Sequence, residues 1–467
     1  MGRAGFSVRD FRRQVVGVDL KVPSINGGRV NYINFDNAAS TPALRPVVES
    51  LNHHLKWYSG VHRGTGYKSL VSTREYNRSR EAVADFVKAD PAHAVVIFLK
   101  NTTEAINKLS YRLGFKAGDQ VLATAMEHHS NDLPWRSQAR INYAGLDEKG
   151  RLDMADLEEK LKKSYPRTRL VAVCGASNVT GHLNDIHQIA ALAHEYHARL
   201  LVDGAQLVPH HPVDMKSPAD PAHIDYLAFS SHKIYAPYGS GVLIGPRETF
   251  ERGAPEYSGG GTIRAVYSDT VYWADAPEKE EAGSPNVMGA LGLAATLRFL
   301  QRMDPGQMCT YEESLTEYAL QKLGEIRGLT VYGAGPRVAV ISFNLAGVPH
   351  SLVGAILCYE AGIGVRTGCF CAQPYVRYLL GERDQYFECL NNSGVCRQPL
   401  PGMVRISLAA YNTRVEVDCL VGWLKRISGK RQDYIRRYRY DSINDEYMPR
   451  EFDVSRLNSG LGKGRLL

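Results

Sequence analysis

Lys233 closes the stretch Tyr226-Leu227-Ala228-Phe229-Ser230-Ser231-His232-Lys233. The first four residues form an apolar run that reads as a buried strand. The turn after the lysine continues through Ala236-Pro237-Tyr238-Gly239-Ser240-Gly241. A lysine drawn out of water at a strand end loses its proton more readily, and its free amine adds to carbonyl carbons. The plain alternative is a solvated lysine on a loop.

Other residues repeat the pattern of a polar group at the end of an apolar strand. Asp203 ends Leu201-Val202-Asp203-Gly204-Ala205-Gln206. A buried carboxylate needs a cation or several donors, and a protonated pyridine nitrogen would serve, sharpening that ring as an electron sink. A helix cap before Ala205 is the simpler use. Thr102 and Thr103, in Asn101-Thr102-Thr103-Glu104, join a strand to a helix. Hydroxyls and free amides at such a junction suit a phosphate, with Ser230 and His232 as further donors; a capping box is the alternative. His128, in Glu127-His128-His129-Ser130-Asn131, follows another strand and is suited to stacking on a flat ring and exchanging protons with it. Metal ligation competes, but adjacent histidines on a strand point to opposite sides, so stacking ranks first. In Arg366-Thr367-Gly368-Cys369-Phe370-Cys371-Ala372-Gln373-Pro374 the arginine would favour a thiolate, against a reading as two packed thiols. Arg405 interrupts the apolar strand Val404-Arg405-Ile406-Ser407-Leu408. Its fork fits a substrate carboxylate or a structural salt bridge.

The elements that must position these residues alternate along the chain. Strands are expected at Val95–Leu99, Val121–Thr124, Leu170–Cys174, Leu200–Asp203, Tyr226–Phe229 and Gly241–Ile244, after a short one over Asn31–Asn37. Helices are expected from about Pro46, over Arg74–Val87, Thr103–Leu113, Ile186–Tyr196 and Gly283–Arg302. Apolar strands separated by helices imply an α/β fold whose mainly parallel sheet is covered on both faces. Ligands in such sheets bind at the carboxyl ends of the strands. Strands at Val338–Asn344 and Val404–Leu408, separated by helices, indicate a smaller α+β domain. The division expected is an N-terminal arm over 1–30, a large domain over 31–300, a small domain over 301–428 carrying the cysteine loop, and a basic, tyrosine-rich tail over 429–467.

The chain has 467 residues, 44% hydrophobic and 22% charged, with a formal net charge of +7. That length exceeds one simple core. The charge is too mild for a nucleic-acid signature, and no apolar run is long enough to span a membrane. With no apolar signal core near the start, the expected location is the cytoplasm. Eight cysteines in such a chain read as thiols, ligands or nucleophiles, not as a disulfide scaffold.

Taken together these residues resemble the class V aminotransferase family of pyridoxal 5'-phosphate enzymes, and most of all its group II cysteine desulfurases and their selenocysteine lyase kin. The resemblance runs from about Asn31 to about Ile427. Its pieces are Asp36-Asn37-Ala38-Ala39, His62-Arg63-Gly64, Thr102 to Asn107, Glu127 to Asn131, Ser177-Asn178-Val179, Asp203 to Gln206, His232-Lys233, Arg366-Thr367-Gly368 with Cys371-Ala372, and Arg405 with Tyr411-Asn412-Thr413. It implies fold type I and a homodimer with active sites at the subunit interface. By that resemblance Lys233 carries the cofactor, Asp203 pairs its ring nitrogen and Gln206 its phenolic oxygen. His128 stacks on the ring, while Thr102, Thr103, Ser230 and His232 hold the phosphate. Asn178, Arg366 and Arg405 bind the amino-acid carboxylate. Ser284 stands where the family has a threonine that reaches the partner subunit's phosphate.

The reaction implied converts L-cysteine to L-alanine, leaves a persulfide on Cys371, and passes that sulfur to an acceptor protein, with iron–sulfur cluster assembly as the setting. Neither a nucleic acid nor a membrane is expected as partner, and no metal ligand set is assigned. The family's two histidines before the catalytic cysteine are Cys369 and Phe370 here, a string that also resembles molybdenum-cofactor sulfurases. Extra residues over about Leu380–Val395 carry Cys389, with Cys396 just beyond, and the tail matches nothing in the family. Alternatives are a selenocysteine lyase, a transaminase or an epimerase. A different class would be a metal-binding small domain, its thiolate site built from Cys369, Cys371, Cys389 and Cys396.

Overall fold

The computed structural model describes residues 6–381 and 400–451. Seven strands make the central sheet: β1 (Ala94–Leu99), β2 (Gln120–Thr124), β3 (Arg140–Ala144), β4 (Thr168–Cys174), β5 (Arg199–Asp203), β6 (Tyr226–Ser230) and β7 (Gly241–Pro246). Across the sheet they lie in the order β1-β7-β6-β5-β4-β2-β3. The pairs from β6 to β3 are parallel, and β7 runs antiparallel to both β6 and β1.

The strands are apolar without interruption because both faces are covered. Val95, Ile97, Leu170, Ala172, Leu201, Ala228 and Leu243 enter one apolar cluster. Their neighbours Val96, Phe98, Val171, Val173, Leu200, Val202, Leu227, Phe229 and Val242 enter another. Successive side chains of a strand point to opposite faces, so each run supplies both clusters. The parallel strands then deliver their carboxyl ends, with Thr124, Cys174, Asp203 and Ser230, to one edge of the sheet.

A second core surrounds four antiparallel strands, β8 (Leu329–Tyr332), β9 (Val340–Leu345), β10 (Arg366–Gly368) and β11 (Met403–Ser407), ordered β8-β9-β11-β10. Ile341, Phe343, Ile406, Leu420 and Leu424 pack there. The N-terminal segment belongs to both cores. Phe11 and Val15 lie in the first and Ile33 and Phe35 in the second, with Ile33–Asn34 paired in parallel to Ile363–Gly364.

Several boundaries differ from the sequence reading. The expected strand over Asn31–Asn37 is broken into Arg29–Asn31 and Ile33–Asn34. The helix expected from Arg74 begins at Tyr67, its first turns being too polar to register. The helix expected from Gly283 begins at Val287, capped by Asn286, whose side chain accepts the Gly289 N–H at 2.9 Å. Gly283 lies at φ +79° and Pro285 follows, so residues 283–286 form a turn. The edge strand β3, Arg-Ile-Asn-Tyr-Ala, has no apolar run and was missed. Residues 429–451 pack on the second core. A helix over Arg431–Arg437 and a hairpin of Tyr438–Asp441 with Glu446–Pro449 bury Tyr434 and Tyr438, and Arg437 pairs with the buried Glu360 at 2.7 Å. Among the described residues no helix is long and apolar enough to cross a membrane.

Candidate active site

The lysine turn is held from both sides. Ser231 exchanges two hydrogen bonds with Ser240, its N–H donating to the Ser240 carbonyl at 2.7 Å and its Oγ accepting the Ser240 N–H at 2.8 Å. The His232 carbonyl accepts the Thr41 N–H at 2.9 Å, and the His232 ring meets Ser40 Oγ at 3.1 Å. Tyr235, at φ +63°, donates its N–H to Thr41 Oγ1 at 2.6 Å. Gly241 must be glycine, because a Cβ there would lie 2.5 Å from the Asn101 backbone. That contact sets the lysine turn against the Thr102 helix terminus.

Lys233 therefore projects into a cavity of about 200 Å³, lined among others by Thr102, Thr103, His128, Asn178, Asp203 and Gln206. Burial lowers its ammonium to about 8, with Asp203 opposing that shift and Arg405 adding to it. Asp203 is itself buried, which raises its pKa against the opposing charge of Lys233. One of its oxygens accepts the Ala205 N–H at 2.9 Å, but residues 205–210 form turns and no helix starts there, so the helix cap considered from sequence is absent. Gln206 donates to the Ala38 carbonyl at 2.7 Å, leaving its buried Oε1 without a partner. Thr102 N–H and hydroxyl both meet Ser230 Oγ, at 2.8 and 2.7 Å, and Thr103 meets Ser130 at 2.7 Å. Asn101 accepts the Glu104 N–H at 3.0 Å, so the helix also has its ordinary cap.

His128 is neutral: burial foremost, then the charge of Lys233, lowers its pKa to about 3. Its Nδ1 accepts the Ser130 N–H at 3.0 Å, which leaves the ring proton on Nε2. Next to it Glu127 is buried among donors, accepting from Asn131 at 2.6 Å and from the Cys174 N–H at 3.0 Å. Burial raises its pKa to about 7.

Arg405 enters from β11 and is 4% exposed. It already has an anion: Asp36 accepts from Nη2 at 3.0 Å, while Nη1 donates to the Asn178 carbonyl at 3.0 Å. Asp36 also pairs with Arg366 at 3.3 Å. The salt bridge allowed by the sequence thus exists, yet the buried Nε of Arg405 has no partner. Asp36 was quoted in sequence only as part of a motif. Its signal was the one that marked Asp203, a carboxylate just after an apolar residue at a strand end. Asn37 and Tyr411-Asn412 also acquire a role. Asn37 donates to the Ser407 carbonyl at 2.8 Å and accepts from Tyr411 at 2.7 Å, tying the Asp36 segment to β11.

The cysteine segment is not extended. Phe370 and Cys371 lie at φ +53° and +55°, so the side-chain alternation of a strand does not apply here. Cys371 is exposed, whereas Cys369 is partly buried and donates to the Pro401 carbonyl at 3.1 Å. The Phe370 carbonyl accepts from Asn178 Nδ2 at 2.7 Å, and the Cys371 carbonyl accepts the His129 N–H at 2.7 Å. Arg405 stacks on the Phe370 ring at 4.9 Å. Cys389 and Cys396 lie outside the described residues. Ser284 is exposed on the turn before Val287 and does not line the cavity. Its turn follows Glu281, which takes a bidentate pair from Arg80 at 2.7 and 2.8 Å, together with the Tyr76 hydroxyl and the Phe98 N–H.

A half-buried, easily deprotonated lysine and a buried aspartate on adjacent strand ends of a mostly parallel sheet define an enzyme of amine–carbonyl chemistry. The comparisons with known proteins give its family. The chain belongs to the class V aminotransferases, whose family model matches residues 33–420. A cysteine desulfurase of Yersinia pseudotuberculosis is 37% identical over 86% of this chain and 94% of its own. One of Pectobacterium atrosepticum is 38% identical over 87% and 95%. Among solved structures, the apo cysteine desulfurase of Thermococcus onnurineus superposes with a TM-score of 0.79 at 33% identity, covering 92% of this chain and 100% of that one. The S-sulfonic acid form of cysteine desulfurase CsdA from Escherichia coli gives 0.75 at 30% identity, covering 91% and 98%. The fold is thus the type I fold of pyridoxal phosphate enzymes, and pyridoxal phosphate is the cofactor. The residues present fit it. Gln206 Oε1 is an orphaned acceptor for a phenol, Asp203 faces the cavity with only part of its hydrogen bonding used, and Lys233 supplies an amine.

Proposed function

We propose that this chain is a cysteine desulfurase in which Lys233, Asp203 and Gln206 hold the cofactor and Cys371 takes the sulfur. His128 lies against the ring, and Thr102, Thr103, Ser230 and His232 surround the phosphate. When bound, pyridoxal phosphate supplies an electrophilic carbon and an electron sink for the substrate's amine and α-carbon. The protein's own groups do the rest. Arg405, with Asn178 and Arg366, orients the carboxylate of L-cysteine. Lys233, with its pKa brought to about 8 by burial, has about a tenth of its free amine neutral one pH unit below that value, far more than an ordinary lysine, and takes the α-proton. The Nε2–H of His128 points a donor, not a lone pair, at the site, which leaves Lys233 as the base. The Cys371 thiolate bonds to the substrate sulfur as the carbon–sulfur bond breaks. The bonding electrons stay with carbon, and a proton there completes the methyl group of alanine.

The observation that supports this reading best is the anchoring of the cysteine turn. Its Phe370 and Cys371 carbonyls are hydrogen-bonded to Asn178 and His129, on the two loops beside Lys233. Cys371 is exposed and its charge acts on Lys233, which supports a thiol that works at the lysine cavity. The reading includes transfer of sulfur to an acceptor protein in iron–sulfur cluster assembly, a homodimer, a cytoplasmic location, and a large domain over 31–300 with a small one over 301–428. Incubation with L-cysteine, pyridoxal phosphate and dithiothreitol, which reduces the Cys371 persulfide to thiol and sulfide, tests the core of it. Alanine and sulfide should form in equal amounts, and Lys233→Ala should form neither. Pyruvate with ammonia, or no release of alanine, would overturn it.

A further inference from the structure

We propose that His194, His223 and Asp225 form a binding site for a zinc-type divalent cation, at the opposite end of β6 from Lys233. The ligand atoms of these three residues all lie within 4.8 Å of one another. His194 Nε2 is 2.8 Å and His223 Nε2 3.6 Å from the two oxygens of Asp225. The two imidazoles stack with centroids 4.3 Å apart.

The hydrogen bonds of the other ring nitrogens carry the argument. His194 Nδ1 faces the Pro221 carbonyl at 2.6 Å, and His223 Nδ1 faces the Asp220 carbonyl at 2.7 Å. A carbonyl only accepts, so each Nδ1 bears the proton, and each Nε2 turns toward a carboxylate that also only accepts. Without an ion, the 2.8 Å contact of His194 needs a second proton on its ring, while His223 Nε2, at 3.6 Å, is too far from the carboxylate to hydrogen-bond to it and is left facing it unpaired. A divalent cation between them satisfies both Nε2 atoms and the carboxylate with two neutral imidazoles. Backbone carbonyls that fix the distal N–H are the usual outer partners of metal-bound histidines. Two nitrogens and one oxygen suit zinc at about 2.0–2.1 Å, and the half-exposed rings leave a fourth position for water.

Chain geometry favours the same arrangement. His223 and Asp225 flank Ile224, which is buried in the main core and so fixes the segment that carries both ligands. His194 lies in the last turn of the helix Ile186–Glu195, where the helix dipole favours a cation. Bound there, the ion ties this helix to the segment that leads into the lysine strand. None of the three residues lines the lysine cavity, so the ion's role is to hold structure.

Zinc uptake by the holoenzyme tests this. Wild type and His223→Gln are dialysed against micromolar Zn²⁺, and bound metal is counted per chain. Wild type should retain one equivalent more than the variant, and Zn²⁺ should raise the melting temperature of wild type alone. Cys371→Ser should keep that extra equivalent, which separates the site from the active-site thiol. If His223→Gln melts at a much lower temperature without metal, His194→Gln takes its place in the same comparison. Equal zinc in wild type and the histidine variants, or no uptake by wild type, overturns the proposal.

Discussion

At the scale of single residues, the state of Lys233 makes a prediction that needs no substrate. Burial brings it to about 8 from an ordinary 10.5, and Asp203 holds it from falling further. The amine of the cofactor-free protein should gain reactivity toward acylating reagents as pH rises through about 8. Asp203→Asn removes the opposing charge and should move that midpoint lower, as read from labelling of the Lys233 peptide. Arg405 makes a second prediction. Its fork is shared between Asp36 and the Asn178 carbonyl with Nε unpaired. Arg405→Ala should weaken L-cysteine binding by about 2 kcal/mol, the order of a lost charged hydrogen bond, or about 30-fold in KM. Asp36→Asn should raise KM less, since it loosens the arginine without removing it. A melting temperature that falls while KM stays constant would make Arg405 structural. Lys233, Asp203 and Arg405 were legible in the sequence because a charged residue in or after an apolar run must be buried with it. The left-handed Phe370 and Cys371 were not, because positive φ in a residue other than glycine has no pattern in sequence.

At the scale of elements, the carboxyl ends of β2, β4, β5 and β6 were legible to within about a residue, since their apolar runs are continuous. The edge strand β3 was not, for it is mostly half-buried and its composition is mixed. The turn at 283–286 was read as the start of a helix, although Gly283 at φ +79° and Asn286 as cap mark its end. Glu281 anchors that turn through Arg80, Tyr76 and Phe98, and is 4% exposed on its side chain. Glu281→Ala leaves a buried arginine without its partner, a loss of about 3–5 kcal/mol. Chemical denaturation should show that loss, with a fall in cofactor affinity if the turn carries Ser284 to its contact.

At the scale of the whole molecule, the division into a large sheet and a smaller antiparallel one was legible from the change in strand spacing after residue 300. The bridging role of the N-terminal segment was not, because Phe11, Ile33 and Phe35 are isolated apolar residues in polar surroundings. Nor was the packing of the tail, whose basic and tyrosine-rich composition reads as surface although Tyr434 and Tyr438 are buried against Glu360 and its neighbours. Ser284 lies exposed and away from its own chain's cavity, which is where a residue serving a second subunit would lie. The protein should elute at twice the chain mass in light scattering. Ser284→Ala should keep that mass and weaken pyridoxal phosphate by about fivefold, near 1 kcal/mol for one hydrogen bond.

The most direct test of the account concerns which sulfur is taken up. One equivalent of L-cysteine is added to the holoenzyme, and the tryptic peptide from Thr367 to Arg377 is sequenced by fragmentation mass spectrometry. Both Cys369 and Cys371 lie in it, so the fragments assign the added sulfur atom to one of them. The account predicts that sulfur on Cys371, no alanine from Cys371→Ser, and first-turnover alanine retained by Cys369→Ser. Added sulfur on Cys369, with Cys371→Ser still forming alanine, would contradict it.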